Sequence, residues 1–247
     1  MNARFILGIL GGLGPMSTVR FCELVIGHTK ATTDADHIDM LISSRASTPD
    51  RTAFILGRSK EDPLPIMIEE AHRLEAAGAS LLVIPCNTAH YFYDGLQREC
   101  ALPILNIIQE TVGFAKERGV TRVGLLATEG TAASGAYHLW CKTYGLECIL
   151  PSPEDQSVIS SIIYNQVKQN RPADHRAFGE VCNRLLEKGC EKIILGCTEL
   201  SLLDKSGFPE DRFLDSLEIL AYKTILACHK TPIGFSHLLS KDTEVNA

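Results

Sequence analysis

The stretches GASLLVIPC (residues 78–86) and GCEKIILGC (residues 189–197) match each other in pattern and indicate two equivalent strands. In each stretch, a glycine that would close a helix is followed by an apolar run, and a cysteine stands eight residues after that glycine. A short continuous apolar run is typical of a central parallel strand that is covered on both faces. The two stretches therefore predict equivalent buried strands, each followed at its carboxyl end by a cysteine, Cys86 or Cys197.

A second pair of matching stretches stands at corresponding places in the chain. GILGGLG (residues 8–14) and GLLATEG (residues 124–130) share the pattern Gly-x-Leu-x-x-x-Gly. One such match could arise by chance, but two matches in the same order along the chain indicate a duplication. The sequence therefore predicts two similar lobes.

Predicted strands and helices alternate around these stretches. The predicted strands are residues 5–10, 37–42, 81–84, 122–127, 147–150 and 192–195. The predicted helices are residues 18–29, 65–77, 106–118, 132–144, 154–169 and 173–188. Strands separated by helices form parallel sheets with right-handed crossovers. We predict an α/β fold of two similar lobes, each a mostly parallel sheet flanked by helices, related by pseudo-twofold symmetry with the active site between them.

The predicted lobes divide the chain near its middle. Residues 1–108 are assigned to an N-terminal α/β lobe and residues 109–213 to a second α/β lobe. A returning helix at about residues 214–230 completes the first lobe. Residues 231–247 end in a polar stretch and are predicted to form a frayed tail.

The composition limits the class of protein. The net charge of the 247 residues is −6 and the lysines and arginines are scattered, which argues against a nucleic-acid-binding stripe. No apolar run approaches the roughly 20 residues that cross a bilayer, and the first residues lack the features of a signal peptide. The nine cysteines are odd in number and irregularly spaced, which indicates reduced thiols in a cytoplasmic protein.

Most of these cysteines are expected to be small buried hydrophobes, but the matched pair favours a second interpretation. Ligands of open α/β sheets bind outside the carboxyl ends of strands, so two facing lobes would place both thiols across one cleft. Small polar residues follow each cysteine and would begin a helix, whose N-terminus lowers a thiol pKa and attracts an anion. Asn87, Thr88 and Thr198 would add donors to a substrate carboxylate.

Two thiols on opposite sides of a carbon suit racemisation. That reaction needs a base on one face and an acid on the other, with exchanged roles in the reverse direction. Other racemases stabilise the carbanion with an electron-sink cofactor. Because the sequence holds no cofactor signature, we expect the lobes to stabilise the carbanion by electrostatics and desolvation.

Four segments resemble a known family. Residues 8–14, 48–52, 85–90 and 196–200 resemble the aspartate/glutamate/hydantoin racemase superfamily, and within it the aspartate racemase branch. The similarity runs from about residue 4 to about residue 220. The resemblance implies two α/β lobes, a homodimer, no pyridoxal phosphate, and a two-base mechanism with Cys86 and Cys197 as the acid/base pair.

The resemblance also implies roles for charged residues. Arg51 matches the family's clamp for a side-chain carboxylate, as a planar guanidinium can bind a carboxylate bidentately. Lys168 matches a second cation of the aspartate branch, and Tyr164 lies one helical turn before it, on the same face. Asp50 and Glu199 are expected to support proton transfer at the two thiols. The substrate implied by these residues is the small molecule aspartate.

The same segments lack the patterns of cofactor and metal sites. The glycines at 8–14 do not have the G-x-G-x-x-G spacing of a dinucleotide site, and no acidic residue ends the second strand. We instead expect the backbone of Gly11 and Gly12 to line the cleft and contact substrate. Cys86 and His90 have no accompanying metal motif, so His90 is expected to pack beside the site. We therefore predict neither a metal nor a cofactor.

Other functions remain open at this stage. The protein could be a glutamate or broad-specificity amino-acid racemase, or a maleate-type isomerase on the same fold. A decarboxylase is disfavoured by the retention of both cysteines together with a clamp for a second carboxylate. A non-catalytic carboxylate-binding protein would have no use for two matched thiols.

Overall fold

The computed structural model describes residues 5–205 and 207–239. Within these ranges the strands are β1 (Ile6–Gly11), β2 (Asp39–Ser44), β3 (Leu81–Val83), β4 (Ile104–Leu105), β5 (Arg122–Ala127), β6 (Glu147–Ile149), β7 (Lys192–Gly196) and β8 (Phe213–Asp215). The α-helices are α1 (Pro15–Gly27), α2 (Arg51–Ile55), α3 (Leu64–Ala76), α4 (Tyr93–Glu99), α5 (Ile107–Glu117), α6 (Glu129–Ser134), α7 (Ala136–Tyr144), α8 (Pro153–Ser161), α9 (His175–Glu187), α10 (Ser216–Ala227) and α11 (Ser236–Leu239). Among the described residues, no helix has the length and apolar character to span a membrane.

The strands form two parallel sheets with the same strand order. One sheet runs β2-β1-β3-β4 and the other runs β6-β5-β7-β8. Gly8 pairs with Leu82 in the first sheet, and Gly124 pairs with Ile193 in the second. Both pairs of sequence matches therefore lie in the same register, and the predicted α/β fold of two similar lobes is confirmed.

The duplication continues beyond the matching sequences. In each lobe the last strand leads directly into a helix that is capped by the side chain of the residue before it. Asn106 accepts hydrogen bonds from the backbone N–H groups of Ile108 and Gln109 at the start of α5. Asp215 does the same for Leu217 and Glu218 at the start of α10. Such caps satisfy N–H groups that have no partner inside the helix.

Three apolar cores hold the lobes. One lies within the first lobe around Leu82 and Met67, and another within the second lobe around Ile193 and Phe178. The third core is shared, because it combines buried residues of both lobes with the apolar side chains of α10. Helix α10 packs against α1 and α5, so it joins the lobes at their base.

The lobes also touch where α2 meets α6. A Cβ added to Gly130 would lie 2.9 Å from the Cα atom of Thr52, so only glycine allows this close approach. On the surface beside this contact, Arg58 and Glu129 form an ion pair of 2.8 Å. The contact closes the cleft between the lobes near the carboxyl ends of the strands.

Two predicted helices have interruptions. The helix expected at 132–144 is divided into α6 and α7 by Gly135, whose φ of 68° lies in the left-handed region. The helix expected at 154–169 ends as α8 at Ser161 and continues as a π-helical turn, Ile162–Gln166, and a 3₁₀ turn, Val167–Gln169. The short elements β4, β8, α2 and α4 were not predicted, because two to seven residues carry little periodicity.

The predicted frayed tail is wrong for residues 231–239. Phe235 is buried and stacks on His28 with ring centroids 4.4 Å apart, and Leu238 is also buried. Pro232 forms a β-bridge with Thr29. These apolar side chains cover the end of α1. The remainder of the predicted tail, residues 240–247, lies outside the described residues, and the division of the chain into lobes at residue 108 stays a prediction.

Candidate active site

Both predicted cysteines line one small cavity at the carboxyl ends of β3 and β7. Cys86 lies three residues after the end of β3, and Cys197 directly follows β7. The cavity encloses about 20 Å³, which is room for about one water molecule. It is lined by Leu13, Asp50, Arg51, Thr52, Cys86, Asn87, Thr88, Thr128, Tyr164, Lys168, Cys197, Thr198 and Glu199. The fold thus brings together all the predicted site residues except Gly11 and Gly12.

The thiol of Cys197 is buried against a carboxylate. Its Sγ atom donates a hydrogen bond to Oε2 of Glu199 over 3.0 Å. Burial raises the pKa of this thiol well above its usual value, and Glu199 raises it further by repelling a thiolate and by accepting a hydrogen bond from the thiol. Lys168 opposes the shift without cancelling it. Cys197 is therefore a neutral thiol at neutral pH.

The sequence predicted the opposite shift for Cys197, and that prediction is wrong. It assumed that an α-helix begins after the cysteine. Only a 3₁₀ turn, Leu200–Leu202, follows, and it is too short to offer much dipole to the sulfur. Cys86 is likewise followed by a 3₁₀ helix, Thr88–Phe92.

Lys168 and Tyr164 stand beside Glu199. The Nζ atom of Lys168 lies 3.6 Å from Oε1 of Glu199 and 4.8 Å from the centre of the Tyr164 ring. Burial would lower the pKa of Lys168, but the nearby Glu199 carboxylate is the largest opposing cause and the net shift is upward. Lys168 is therefore a charged ammonium that faces both cysteines. Its predicted contact with Tyr164 is present, although the two residues lie on a π turn and a 3₁₀ turn instead of one α-helix.

Both ring nitrogens of His90 form hydrogen bonds with backbone atoms. Its Nδ1 lies 2.9 Å from the carbonyl oxygen of Cys86, and its Nε2 lies 3.2 Å from the backbone nitrogen of Ile107. Because that nitrogen donates, Nε2 is the acceptor and Nδ1 carries the proton. Burial lowers the pKa of His90 to about 4, so the ring is neutral. His90 therefore packs behind the first cysteine and holds its backbone in place.

Asn87, which follows Cys86, is bound by Tyr137 of the second lobe and by Ser216 at the start of α10. The hydroxyl of Tyr137 donates to its Oδ1 over 2.7 Å, and its Nδ2 donates to Oγ of Ser216 over 2.9 Å. One amide hydrogen of Asn87 remains for a ligand. Its side chain therefore connects the lobes in addition to lining the cavity.

Three threonine hydroxyls form a buried triad. Oγ1 of Thr88 lies 3.0 Å from that of Thr128 and 2.9 Å from that of Thr131, and the last two are 3.0 Å apart. Thr88 and Thr128 line the cavity, and Thr131 lies behind them. Each hydroxyl can donate one hydrogen bond, so one of the three can donate to a carboxylate in the cavity while the other two donate within the triad.

Arg51 is held in place by carbonyl oxygens. Its Nη1 donates to Thr48 and Pro49 over 3.2 and 2.9 Å, and its Nη2 donates to Leu13 over 2.9 Å. The Nε atom is buried and has no partner among the described residues. Beside it, Oδ1 of Asp50 accepts the backbone N–H of Ala53, which commits one carboxylate oxygen to the start of α2. Three of the five N–H groups of the guanidinium are therefore committed to carbonyl oxygens, and the Nε–H and one Nη2–H remain for a ligand.

The two glycines that were expected to contact substrate, Gly11 and Gly12, do not line the inner cavity. Gly11 packs against Thr18 and Ser43 and lines neither the inner nor the outer cavity, so its small size is explained by packing. Gly12 lines a second, outer cavity of about 430 Å³. The nearby Gly14 approaches the second lobe, because a Cβ on it would lie 2.8 Å from Oε1 of Glu199.

The outer cavity adjoins the inner one. Asp50, Arg51, Lys168 and Glu199 line both cavities and therefore form the wall between them. The outer cavity also contains the apolar side chains of Met16, Val167 and Leu202.

Sequence reasoning missed Leu13, Thr52 and Thr128 as lining residues. A signal for each was present in the chain, since Leu13 and Thr128 lie in the repeated glycine-rich stretches and Thr52 ends the segment that carries Arg51. Within the described ranges, no group of three or more His, Cys, Asp or Glu side chains is placed to hold a metal ion.

Comparison with known proteins places the chain among racemases. A sequence model of the family described as Asp/Glu/Hydantoin racemase matches residues 10–223. The broad specificity amino-acid racemase RacX of Bacillus subtilis is 30% identical over 226 residues, which are 89% of this chain and 96% of the relative.

Two solved structures share the fold over nearly their whole length. Picrophilus torridus aspartate racemase has a TM-score of 0.78 and 28% identity, covering 95% of this chain and 98% of that chain. An aspartate racemase homologue from Pyrococcus horikoshii has a TM-score of 0.74 and 28% identity, covering 92% of this chain and 99% of that chain. The resemblance predicted from four short segments is confirmed by these matches. The chain belongs to the Asp/Glu/hydantoin racemase family.

Proposed function

We propose that the protein is a cofactor-independent racemase that interconverts L- and D-aspartate. The observation that supports this most directly is that Cys86 and Cys197, one from each lobe, line the same small cavity. Racemisation requires a base on one face of the α-carbon and an acid on the other. Two thiols from opposite lobes meet that requirement.

In one direction of the reaction, Cys86 is the base and Cys197 is the acid. The thiolate of Cys86 takes the α-proton, and the electron pair that is left on the α-carbon spreads into the adjacent carboxylate. The thiol of Cys197 then gives its proton to the opposite face. The product leaves a Cys86 thiol and a Cys197 thiolate, which are the starting state for the reverse reaction. The neutral state of Cys197 supports its role as the acid in the first direction.

Glu199 is the proposed acceptor of the Cys197 proton when Cys197 must become the thiolate base for the reverse direction. It already accepts the hydrogen bond from Cys197, so the proton needs to move only along that bond. Asp50 lies at the same cavity in the first lobe, and we assign it the corresponding supporting role. Its Oδ1 caps α2, which leaves its other oxygen for this purpose.

The carbanion needs stabilisation where its charge develops. We propose that the α-carboxylate lies against the hydroxyls of Thr88 and Thr198 and the remaining amide hydrogen of Asn87. Because these donors are preorganised and buried, they interact more strongly with the transition state than water would. The ammonium of Lys168 adds positive charge at the same place.

The choice of aspartate rests on Arg51. Its Nε is a buried donor without an acceptor among the described residues, and such a group is unfavourable until a ligand supplies one. A second carboxylate on the substrate would supply it. Since three carbonyls fix the guanidinium, the distance from this donor to the thiols favours one side-chain length.

A broad-specificity amino-acid racemase is the second candidate. The outer cavity of about 430 Å³ has apolar side chains and adjoins the inner cavity, so it could receive longer or uncharged side chains. The relative RacX is named as a broad specificity enzyme. The two candidates differ in the ranking of kcat/KM for aspartate, glutamate, asparagine and methionine. Selectivity for aspartate that is lost in Arg51→Lys supports the first, and similar values for all four support the second.

The first experiment tests racemisation itself. The protein is incubated with L-aspartate in deuterated water without added cofactor, and loss of the α-proton and formation of D-aspartate are followed together. We expect both, and we expect Cys86→Ala and Cys197→Ala each to abolish formation of D-aspartate. Absence of exchange and of D-product with every amino acid tried would leave a maleate-type isomerase or a carboxylate-binding protein as the better account.

We further propose that the protein is a homodimer in the cytoplasm. The homodimer rests on the family resemblance and the cytoplasm on the cysteines, all nine of which are free. Sedimentation of the purified protein at micromolar concentration tests the first statement.

A further inference from the structure

A buried chain of hydrogen bonds links the two cysteine-bearing loops. It runs from the hydroxyl of Tyr137 to Asn87, from Asn87 to Ser216 over 2.9 Å, and from Oγ of Ser216 to the carbonyl oxygen of Leu195 over 2.7 Å. Tyr137 and Ser216 are completely buried, and Asn87 is 2% exposed. The chain therefore lies in the interior between the lobes.

The donors and acceptors of this chain fit in only one way. The serine hydroxyl has one proton, which goes to the carbonyl of Leu195, so its oxygen must accept from the amide of Asn87. The carbonyl oxygen of Asn87 in turn accepts from Tyr137. The orientation of the Asn87 amide is thus fixed by its partners.

The ends of the chain lie next to the two thiols. Asn87 directly follows Cys86, and Leu195 precedes Cys197 by two residues. Asp215, the residue before Ser216, also holds the loop that follows Cys197. Its Oδ1 accepts a hydrogen bond of 2.6 Å from the hydroxyl of Ser201 in that loop. Two consecutive residues at the start of α10 therefore hold both cysteine loops.

We propose that Ser216, with Tyr137, is a positioning residue that sets the separation of the two thiols. This inference rests on the proposed racemase function. After one thiol removes the α-proton, the other must deliver its own proton before the first one returns it. A shift of one loop relative to the other slows delivery and leaves the carbanion time to be reprotonated on the original face.

The proposal predicts a change in the stereochemistry of exchange. In deuterated water, inversion gives deuterated product. Return on the original face gives deuterated starting enantiomer when the thiol that took the α-proton has exchanged it with solvent, which a longer-lived carbanion favours. In Ser216→Ala and Tyr137→Phe we expect inversion to slow by about 10- to 100-fold, as expected for a misplacement of about 1 Å or less. We expect the ratio of exchange with retention to inversion to rise severalfold over that of the wild type.

Ser80→Ala is a matched control. It also removes a serine hydroxyl that bonds to the backbone, since Ser80 accepts from the N–H of Ile6 over 3.1 Å, but it lies at the amino-terminal end of β3. We expect its ratio of retention to inversion to equal that of the wild type. Thermal unfolding of each variant reports how much folded protein is present.

The outcomes separate the inference from the function on which it rests. A wild type that neither inverts nor exchanges any amino acid overturns both. An active wild type with the same ratio in Ser216→Ala and Tyr137→Phe overturns the positioning role alone, even if both rates fall in proportion, because that is the result of lost folded protein. If Ser216→Ala does not fold, Tyr137→Phe applies the same test at the other end of the chain of hydrogen bonds.

Discussion

The Sγ atom of Cys197 and the Oε2 atom of Glu199 lie 3.0 Å apart, with the thiol donating. The other oxygen of this carboxylate lies 3.6 Å from the ammonium of Lys168. The thiol of Cys197 and the carboxylate that can accept its proton are thus joined by one hydrogen bond. The ammonium of Lys168 balances the negative charge of that carboxylate. The first thiol has no such carboxylate within hydrogen-bond distance among the described residues, so the two halves of the site differ in how they hold a proton.

Replacing Glu199 should therefore disable proton transfer at Cys197. We expect Glu199→Gln to lower kcat/KM for aspartate by about 100-fold or more, which is typical for loss of a general acid–base group. The loss must be equal from both enantiomers, because the equilibrium constant of racemisation is one. Exchange of the α-proton with deuterated water should fall most for the enantiomer from which Cys197 removes the proton. Glu180→Gln, at an exposed ion pair with Arg176, is the control, and activity near that of the control would contradict the assignment.

The neutral, buried His90 should make folding sensitive to acid. Burial lowers its pKa from 6.5 to about 4. Below pH 6.5 the unfolded chain binds a proton that the folded protein does not accept until about pH 4. Stability that is fully present above pH 6.5 is therefore lost as the pH falls towards 4, by about 3 kcal/mol in total.

The measurement compares urea unfolding at pH 7 and pH 4.5 for the wild type and His90→Gln. Glutamine can keep hydrogen bonds to the backbone but does not titrate, so we expect a smaller drop in the free energy of unfolding for the variant. Equal drops in the two proteins would show that His90 is not the source.

The threonine triad gives a prediction for substrate binding. Thr131 holds the hydroxyls of Thr88 and Thr128 without lining the cavity itself. We expect Thr131→Val to raise KM for aspartate by about 5-fold, the equivalent of one hydrogen bond of about 1 kcal/mol, with a smaller effect on kcat. Thr29→Val removes a buried hydroxyl that donates to the backbone of Val25 far from the site. An equal change in KM for both variants would argue against a role for the triad.

The contact between the lobes at Gly130 should not tolerate a methyl group. A Cβ there would lie 2.8 Å from Oγ1 of Thr52, whose hydroxyl also accepts from Tyr164. We expect Gly130→Ala to lower the free energy of unfolding by about 1–3 kcal/mol through overpacking, and to lower kcat/KM because Tyr164 moves with Thr52. Gly27→Ala, where an added Cβ meets nothing within 4 Å, should do neither. Wild-type stability and activity in Gly130→Ala would show that the lobes separate freely there.

Local sequence signals predicted the elements that repeat. The strand before Cys86 and the strand before Cys197 each combine a closing glycine, an apolar run and a cysteine, and these signals depend only on neighbouring residues. The contact between Tyr164 and Lys168 was predicted from a four-residue spacing, and it survives in a π turn because the spacing still brings the two side chains together.

Properties that depend on residues distant in the sequence could not be predicted from local patterns. The state of the Cys197 thiol is set by its burial, which packing of both lobes determines, so a prediction from the following residues had the wrong sign. The hydrogen bond between Asn87 and Ser216 joins residues 129 positions apart. No periodicity in the chain relates such residues, and their meeting depends on how α10 returns to the lobes.

The small size of the inner cavity has a consequence for the rate of turnover. A space of about 20 Å³ is too small for the nine heavy atoms of aspartate, so the proposed substrate needs either a separation of the lobes or part of the adjoining outer cavity. If the lobes separate, the proposed reaction includes one opening for substrate entry and one for product release, and this motion then competes with proton transfer to be the slowest step. Solvent viscosity, which slows hinges and leaves proton transfer nearly untouched, becomes the quantity that tells which of the two governs kcat.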